Sequence, residues 1–94
     1  MLKEKFNRIP NQLRIARRQR GLGRKSVARL IGHRSAWTLA RYEGGRALPP
    51  LCVALKLETL YRKPVAFLWP DLYSELRQDV RKREEGEKGG ADVS

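Results

Sequence analysis

The chain has 94 residues, 40% of them hydrophobic, which is enough for one domain with a modest core and little else. Its 21 Lys and Arg against 10 Asp and Glu leave a net charge of +11, which indicates a polyanionic partner such as nucleic acid or an anionic membrane surface. We see no apolar run near the roughly 20 residues of a membrane span, no secretory signal, and only one cysteine, Cys52, so we expect a cytoplasmic protein without disulfides.

The positive charge is concentrated in one half of the chain. Residues 11–46 contain ten basic side chains and one acidic side chain, Glu43, whereas residues 71–94 contain five basic and seven acidic ones. This asymmetry favours a basic binding surface in the first half. The simpler alternative is a solvated basic surface without a ligand.

The first two predicted helices follow a flexible lead-in over residues 1–10. Asn11 is a good N-cap for a first helix that Gly21 ends. A second helix follows Gly23 and ends at Gly32. The apolar spacing predicts that the first helix buries Leu13 and Ala16 and that the second buries Val27, Ala28, Leu30 and Ile31. Leu22, in the turn between the two helices, is also expected in the core.

The third predicted helix runs from Ser35 or Ala36 to Glu43. Leu39 and Tyr42 lie three residues apart, so they share a face, and we assign that face to the core. The outer face then consists of four residues: Ala36, Trp37, Ala40 and Arg41. An alternative places Trp37 as a plug against the end of the second helix.

Three further helices complete an all-α prediction. Pro50 starts the fourth helix, whose inward residues are expected to be Leu51, Ala54, Leu55 and Leu60, with Cys52 as a packing residue. Pro64 starts the fifth helix, whose inward residues are expected to be Val65, Leu68 and Trp69. A C-terminal helix over residues 71–85 carries a narrow stripe of Leu72 or Tyr73, Leu76 and Val80, which packs on its own domain or across a dimer. Residues 86–94 are Gly-rich and predicted to be disordered.

The order of these elements predicts a helix-turn-helix, with the third helix shaped to enter a major groove. The pieces "LRIARRQRGL", "VARLIG", "LARYEGGRALPPL" and "ALKLETLYRKPVAFLW" together resemble the phage repressor and Cro-like helix-turn-helix regulators, the xenobiotic-response-element type. The resemblance implies a five-helix lambda-repressor-like DNA-binding domain over residues 11–70 with an additional C-terminal helix. It also implies a homodimer on a two-fold operator.

The resemblance places base readers on the third helix and a phosphate clamp at the start of the second. The expected base contacts are Ala36, Trp37, Ala40 and Arg41, and the expected phosphate contacts are Arg24, Lys25, Arg34, Ser35, Thr38 and Arg46. Three departures are Gly23, where the family has a Ser or Thr cap, Arg24, where it often has Gln, and the span from Gly32 to Glu43, which is one residue longer than the commonest spacing. Arg17 and Glu43 are expected to form a structural ion pair.

The leading hypothesis is a sequence-specific double-stranded DNA binder that regulates transcription as a repressor or autorepressor. The alternatives are an antitoxin of a toxin–antitoxin pair and a non-specific nucleoid or RNA-binding protein. We expect no enzymatic activity, no cofactor and no metal, because the single histidine, His33, has no catalytic or ligating partner at a useful spacing. Trp37 and two alanines offer few hydrogen bonds, so specificity should depend on apolar contacts, Arg41 and DNA shape.

Overall fold

The computed structural model describes residues 7–87, which form six α-helices and no β-strand. The helices are α1 (Leu13–Gln19), α2 (Arg24–Leu30), α3 (Ala36–Glu43), α4 (Leu51–Tyr61), α5 (Val65–Leu68) and α6 (Pro70–Glu87). The all-α prediction is therefore confirmed for the described part of the chain. None of the helices in this part has the length and apolar character that a membrane span requires.

The side chain of Asn11 connects the start of α1 to the end of α3. Gln12 rather than Asn11 occupies the N-cap position, but Asn11 Oδ1 accepts a hydrogen bond from the Leu13 amide at 3.0 Å. Asn11 Nδ2 donates to the carbonyls of Tyr42 at 3.1 Å and Glu43 at 3.3 Å. These carbonyls lie in the last turn of α3, where helical carbonyls lack an intrahelical partner.

The segment before α1 packs against the loop that follows α3. The Ile9 amide donates to the Gly45 carbonyl at 2.9 Å, and the Ile9 side chain is partly buried against the core. Gly45 has a φ of +75°, and a Cβ there would lie 2.6 Å from the Ile9 carbonyl oxygen. Ile9, within the predicted flexible lead-in, therefore packs against the core and this loop, while residues 1–6 lie outside the described residues.

The core lies between the first three helices and α4, α5 and the first turn of α6. Its buried apolar side chains are Leu13, Ala16, Val27, Ala28, Ile31, Leu39, Tyr42, Leu57, Tyr61, Leu68, Trp69 and Leu72. The inward faces predicted for the first and third helices are confirmed. In α2 the prediction for Leu30 is wrong, because this side chain is 60% exposed. Leu30 ends α2 and Ile31 follows it about 100° further around, and the side that packs inward carries Val27, Ala28 and Ile31 instead.

Helix α4 buries a face that only partly coincides with the predicted one, since Ala54 and Leu60 are partly buried against the core. Leu57 and Tyr61 are in the core, whereas Leu51 and Leu55 are exposed, and so is Cys52, which was expected to pack. Its leucines surround the helix, so the spacing is compatible with more than one inward face. Contacts with the other helices select the face that carries Leu57 and Tyr61, which lie four residues apart.

The last helix begins one residue earlier and ends later than predicted. Trp69 precedes it and is buried, as expected. Gly86 and Glu87 are helical, so the predicted disordered tail is wrong for these two residues, and residues 88–94 lie outside the described part. Leu72 is the one buried side chain of α6, while Leu76 and Val80 are exposed. Within residues 7–87, the apolar stripe beyond Leu72 is therefore left uncovered.

Candidate nucleic-acid interface

Helix α3 begins where the sequence predicts. Ser35 has an extended backbone, and its Oγ accepts a hydrogen bond from the Trp37 amide at 3.3 Å. This is the N-cap arrangement that serine favours. Because the cap sets the start of the helix, it also sets which side chains face outward.

The outer face of α3 is open, and Trp37 is its most exposed large side chain. Leu39 is fully buried and Tyr42 is 6% exposed, whereas Trp37 is 67% exposed. The alternative in which Trp37 plugs the end of the second helix is therefore wrong. Ala36 and Ala40 are partly exposed beside it.

Arg41 lies over the Trp37 ring. Its guanidinium carbon is 5.2 Å from the ring centroid, within the range of a cation–π interaction. The two side chains stand one helical turn apart, so α3 itself sets their spacing. Within residues 7–87 the Arg41 guanidinium donates no hydrogen bond, and the indole offers a large apolar surface and one N–H donor. Together they can contact a base edge and a methyl group.

A basic groove runs beside the start of α3. Lys25 and Arg29 line it from α2, and Arg34 lines it from the turn, with Ser35 and Ala36 completing the wall. Lys25, Arg34 and Ser35 were expected to contact phosphate, and the structure brings these three together. Arg29 was missed, although its position four residues after Lys25 places both on one face of the helix.

Arg46 and Thr38 lie apart from this groove. Arg46 is exposed in the loop after α3, where its amide donates to the Arg41 carbonyl at 3.0 Å. Thr38 is partly exposed on α3. Neither of the two is among the residues that line the groove.

Glu43, the last residue of α3, is surrounded by arginines. Its side chain has no exposed surface, and Arg17 binds it through two hydrogen bonds of 2.6 and 3.2 Å. Arg24 Nε also donates to Glu43 at 3.0 Å, and Arg14 Nε lies 3.7 Å away. The expected Arg17–Glu43 pair is confirmed. We expected Arg24 to contact a DNA phosphate, but one of its N–H groups donates a hydrogen bond within the protein, to Glu43.

Burial alone would raise the pKa of Glu43, but the hydrogen bonds and positive charges of Arg17 and Arg24 outweigh it and lower that pKa below its ordinary value. The hydrogen bond to Glu43 raises the pKa of Arg17. Both side chains are therefore charged at neutral pH. This pairing satisfies a buried carboxylate and joins α3 to α1 and α2, so it sets the position of α3 in the domain.

No group of three or more His, Cys, Asp or Glu side chains that could hold a metal ion occurs among residues 7–87. Comparison of the chain with known protein families, with curated proteins and with solved structures finds no match. The residues of this chain therefore carry the functional conclusion by themselves.

Proposed function

We propose that the chain is a sequence-specific double-stranded DNA-binding regulator of transcription, a repressor or autorepressor without enzymatic activity. In this proposal residues 11–70 are a lambda-repressor-like domain, and two copies bind a two-fold operator. One observation carries the proposal: α3 leaves an open outer face on which Trp37 and Arg41 form a unit, beside a groove lined by three cationic side chains.

In the proposed mechanism the phosphates orient the domain and α3 reads the bases. Lys25, Arg29 and Arg34 neutralise backbone phosphates along the groove, and Arg46 binds one on the other side of α3. Charged contacts of this kind fix register without reading sequence. The buried Glu43 holds α3 in place, so the helix enters the major groove in a set orientation.

Base reading in this mechanism depends on few hydrogen bonds. Arg41 donates to guanine, and Trp37 packs against a thymine methyl or a sugar, with Ala36 and Ala40 allowing close approach. Because Arg41 lies over the indole, Trp37 also limits the conformations of the guanidinium. We therefore expect DNA shape to contribute a large share of the specificity.

In vitro selection from a random duplex library tests the proposal. We expect enrichment of a two-fold motif, and affinity for it that falls steeply with salt because several counterions are released. Equal affinity for the selected duplex, a scrambled duplex and structured RNA would instead support the non-specific alternative. A tightly held protein that masks α3 in a native purification would support the antitoxin alternative.

Trp37→Ala is the variant that tests the outer face. The side chain is exposed, so we expect nearly unchanged thermal stability and at least about a tenfold loss of affinity for the selected duplex. Phe67→Ala is the matched control, because Phe67 is also exposed and also lies under a cation, with Lys63 Nζ 5.1 Å from its ring centroid. Equal losses in the two variants would contradict the assignment of α3 to the groove.

Lys25→Ala tests the phosphate contacts. Lys25 is exposed at the start of α2. Among the described residues its ammonium group has no ion pair or hydrogen bond that the substitution would remove. We expect weaker binding to all duplexes and a salt slope reduced by about 0.9, the value for one phosphate. A changed base preference with an unchanged slope would argue against this role.

A further inference from the structure

An exposed apolar face extends from the loop before α4 onto α6. Its exposed side chains are Leu48, Leu51, Tyr73, Leu76 and Val80. A groove of about 300 Å³ in this face is lined by residues before and in α4 and by residues at the start of α6, among them Leu48, Leu51, Trp69, Leu72, Tyr73 and Leu76. Contiguous apolar surface of this kind marks an interaction site, because its exposure to water is unfavourable.

Most of α6 is not covered by the other residues that the structure describes. The helix continues for fifteen residues beyond Leu72, its one buried side chain, which is about 22 Å at the helical rise. Isolated helices of this length are marginal in water. A partner that packs on Leu76 and Val80 would stabilise the helix and bury the apolar face together.

The charge distribution indicates which partner fits. Residues 71–87 contain six acidic and four basic side chains, while the whole chain has a net charge of +11. Two copies that approach through other surfaces therefore bring strong positive potentials together. Through α6 they approach with the least repulsion, because this is the segment whose charges nearly balance.

Two of the charges beside the stripe, those of Arg77 and Glu84, are complementary in an antiparallel pair of helices, whereas Arg81 lies close to the axis. Arg77, Arg81 and Glu84 lie along one side of Leu76 and Val80, with the basic pair nearer the start of the helix. When two α6 helices run antiparallel and cross near Val80, Arg77 of one copy faces Glu84 of the other. The same contact forms twice, as a two-fold axis requires.

We infer that a second copy of this chain covers the apolar face, through antiparallel packing of the two α6 helices about an axis near Val80. The inference assigns a surface to the homodimer of the proposed function. It is tested without DNA, so failure of DNA binding and failure of this interface are distinguishable.

The first test is the mass of the chain in solution, by sedimentation equilibrium from micromolar to millimolar concentration. We expect a dimer, and for Val80→Asp a dissociation constant at least about a hundredfold higher, since a charge then lies at the axis. Ile15→Asp is the matched control, because Ile15 is 52% exposed and Val80 is 56% exposed. A monomeric wild-type chain, or equal effects of the two variants, would overturn the inference.

The second test addresses the direction of packing. Arg77→Glu and Glu84→Arg should each weaken the dimer, and the double variant should restore it. In a Cys52→Ser background, Val80→Cys should form an intermolecular disulfide on mild oxidation, whereas Ile15→Cys should not. Failure of the double variant to restore the dimer, or cross-linking of both cysteine variants alike, would overturn the antiparallel arrangement. Circular dichroism confirms that each variant is folded, which the exposure of these positions leads us to expect.

Discussion

Replacement of Glu43 by Gln is expected to destabilise the domain because it leaves the buried positive charge of Arg17 without a counter-charge. Gln has nearly the same shape and can still accept a hydrogen bond, so the change removes the negative charge and little packing. Arg17 then stays 7% exposed with no counter-charge, bound only to the Leu22 carbonyl and to the neutral amide. Arg24 is less affected, because its side chain is 39% exposed and can turn into water.

The expected magnitude follows from the burial of each partner. Loss of one member of a buried ion pair costs about 3–5 kcal/mol, and we assign the lower end, about 3 kcal/mol, because Arg17 keeps a carbonyl partner. Each kcal/mol shifts the melting temperature of a domain of this size by about 4–8 °C, so the expected drop is about 12–24 °C. The measurement is urea and thermal unfolding followed by circular dichroism at pH 7.

The pH dependence of unfolding gives a second readout. Because folding lowers the pKa of Glu43, this carboxylate contributes stability that is complete above its unfolded pKa and is lost as pH falls through its folded pKa. Acidification should therefore destabilise the wild type more than Glu43→Gln. The difference between the two in free energy of unfolding should shrink as the pH is lowered below the ordinary range of a glutamate.

Asp79→Asn is the control, since Asp79 pairs with Arg83 at 3.6 Å with both side chains at least half exposed. Exposed pairs of this type contribute about 0.3–0.5 kcal/mol. A loss in Glu43→Gln no larger than in the control, or a difference from wild type that does not change with pH, would refute the assignment of Glu43 as the buried charge that holds α3.

Three other predictions concern stability and are measured by urea unfolding. Arg24→Ala should cost about 1 kcal/mol and Arg17→Ala about 3 kcal/mol or more, because only Arg17 is buried; the reverse order would contradict the geometry at α3. Gly21→Ala should cost about 1 kcal/mol for its φ of +70°, and Gly45→Ala about 3 kcal/mol or more, because a Cβ at Gly45 meets the backbone of the preceding segment. Arg62 has a φ of 60°, so Arg62→Gly should raise the free energy of unfolding by up to about 1 kcal/mol, and a decrease would count against strain there.

The parts of the fold that depend on local signals were predictable from the sequence. Ser35 and the glycines at 21 and 32 mark helix ends through their own backbone preferences, so α3 starts where expected. Leu39 and Tyr42 are the one pair of large apolar side chains on that helix with a common face, and this pair predicts the open face around Trp37.

The parts that depend on contacts between distant segments were not predictable in the same way. In α4, leucines point in several directions, and the packing of other helices selects Leu57 over Leu55. At the candidate site, the bond between Arg24 and Glu43 joins residues nineteen positions apart. A single sequence contains no signal for that pairing, which is why Arg24 was assigned to phosphate alone.

The opposite environments of the two tryptophans make the protein its own fluorescent reporter. Trp69 is 6% exposed in the core and Trp37 is 67% exposed on α3, and the chain has no other tryptophan. A water-soluble quencher should therefore reach Trp37 and spare Trp69. Unfolding changes the emission of Trp69, whereas any ligand that covers α3 shields Trp37, so one unlabelled sample reports folding and occupancy as separate signals.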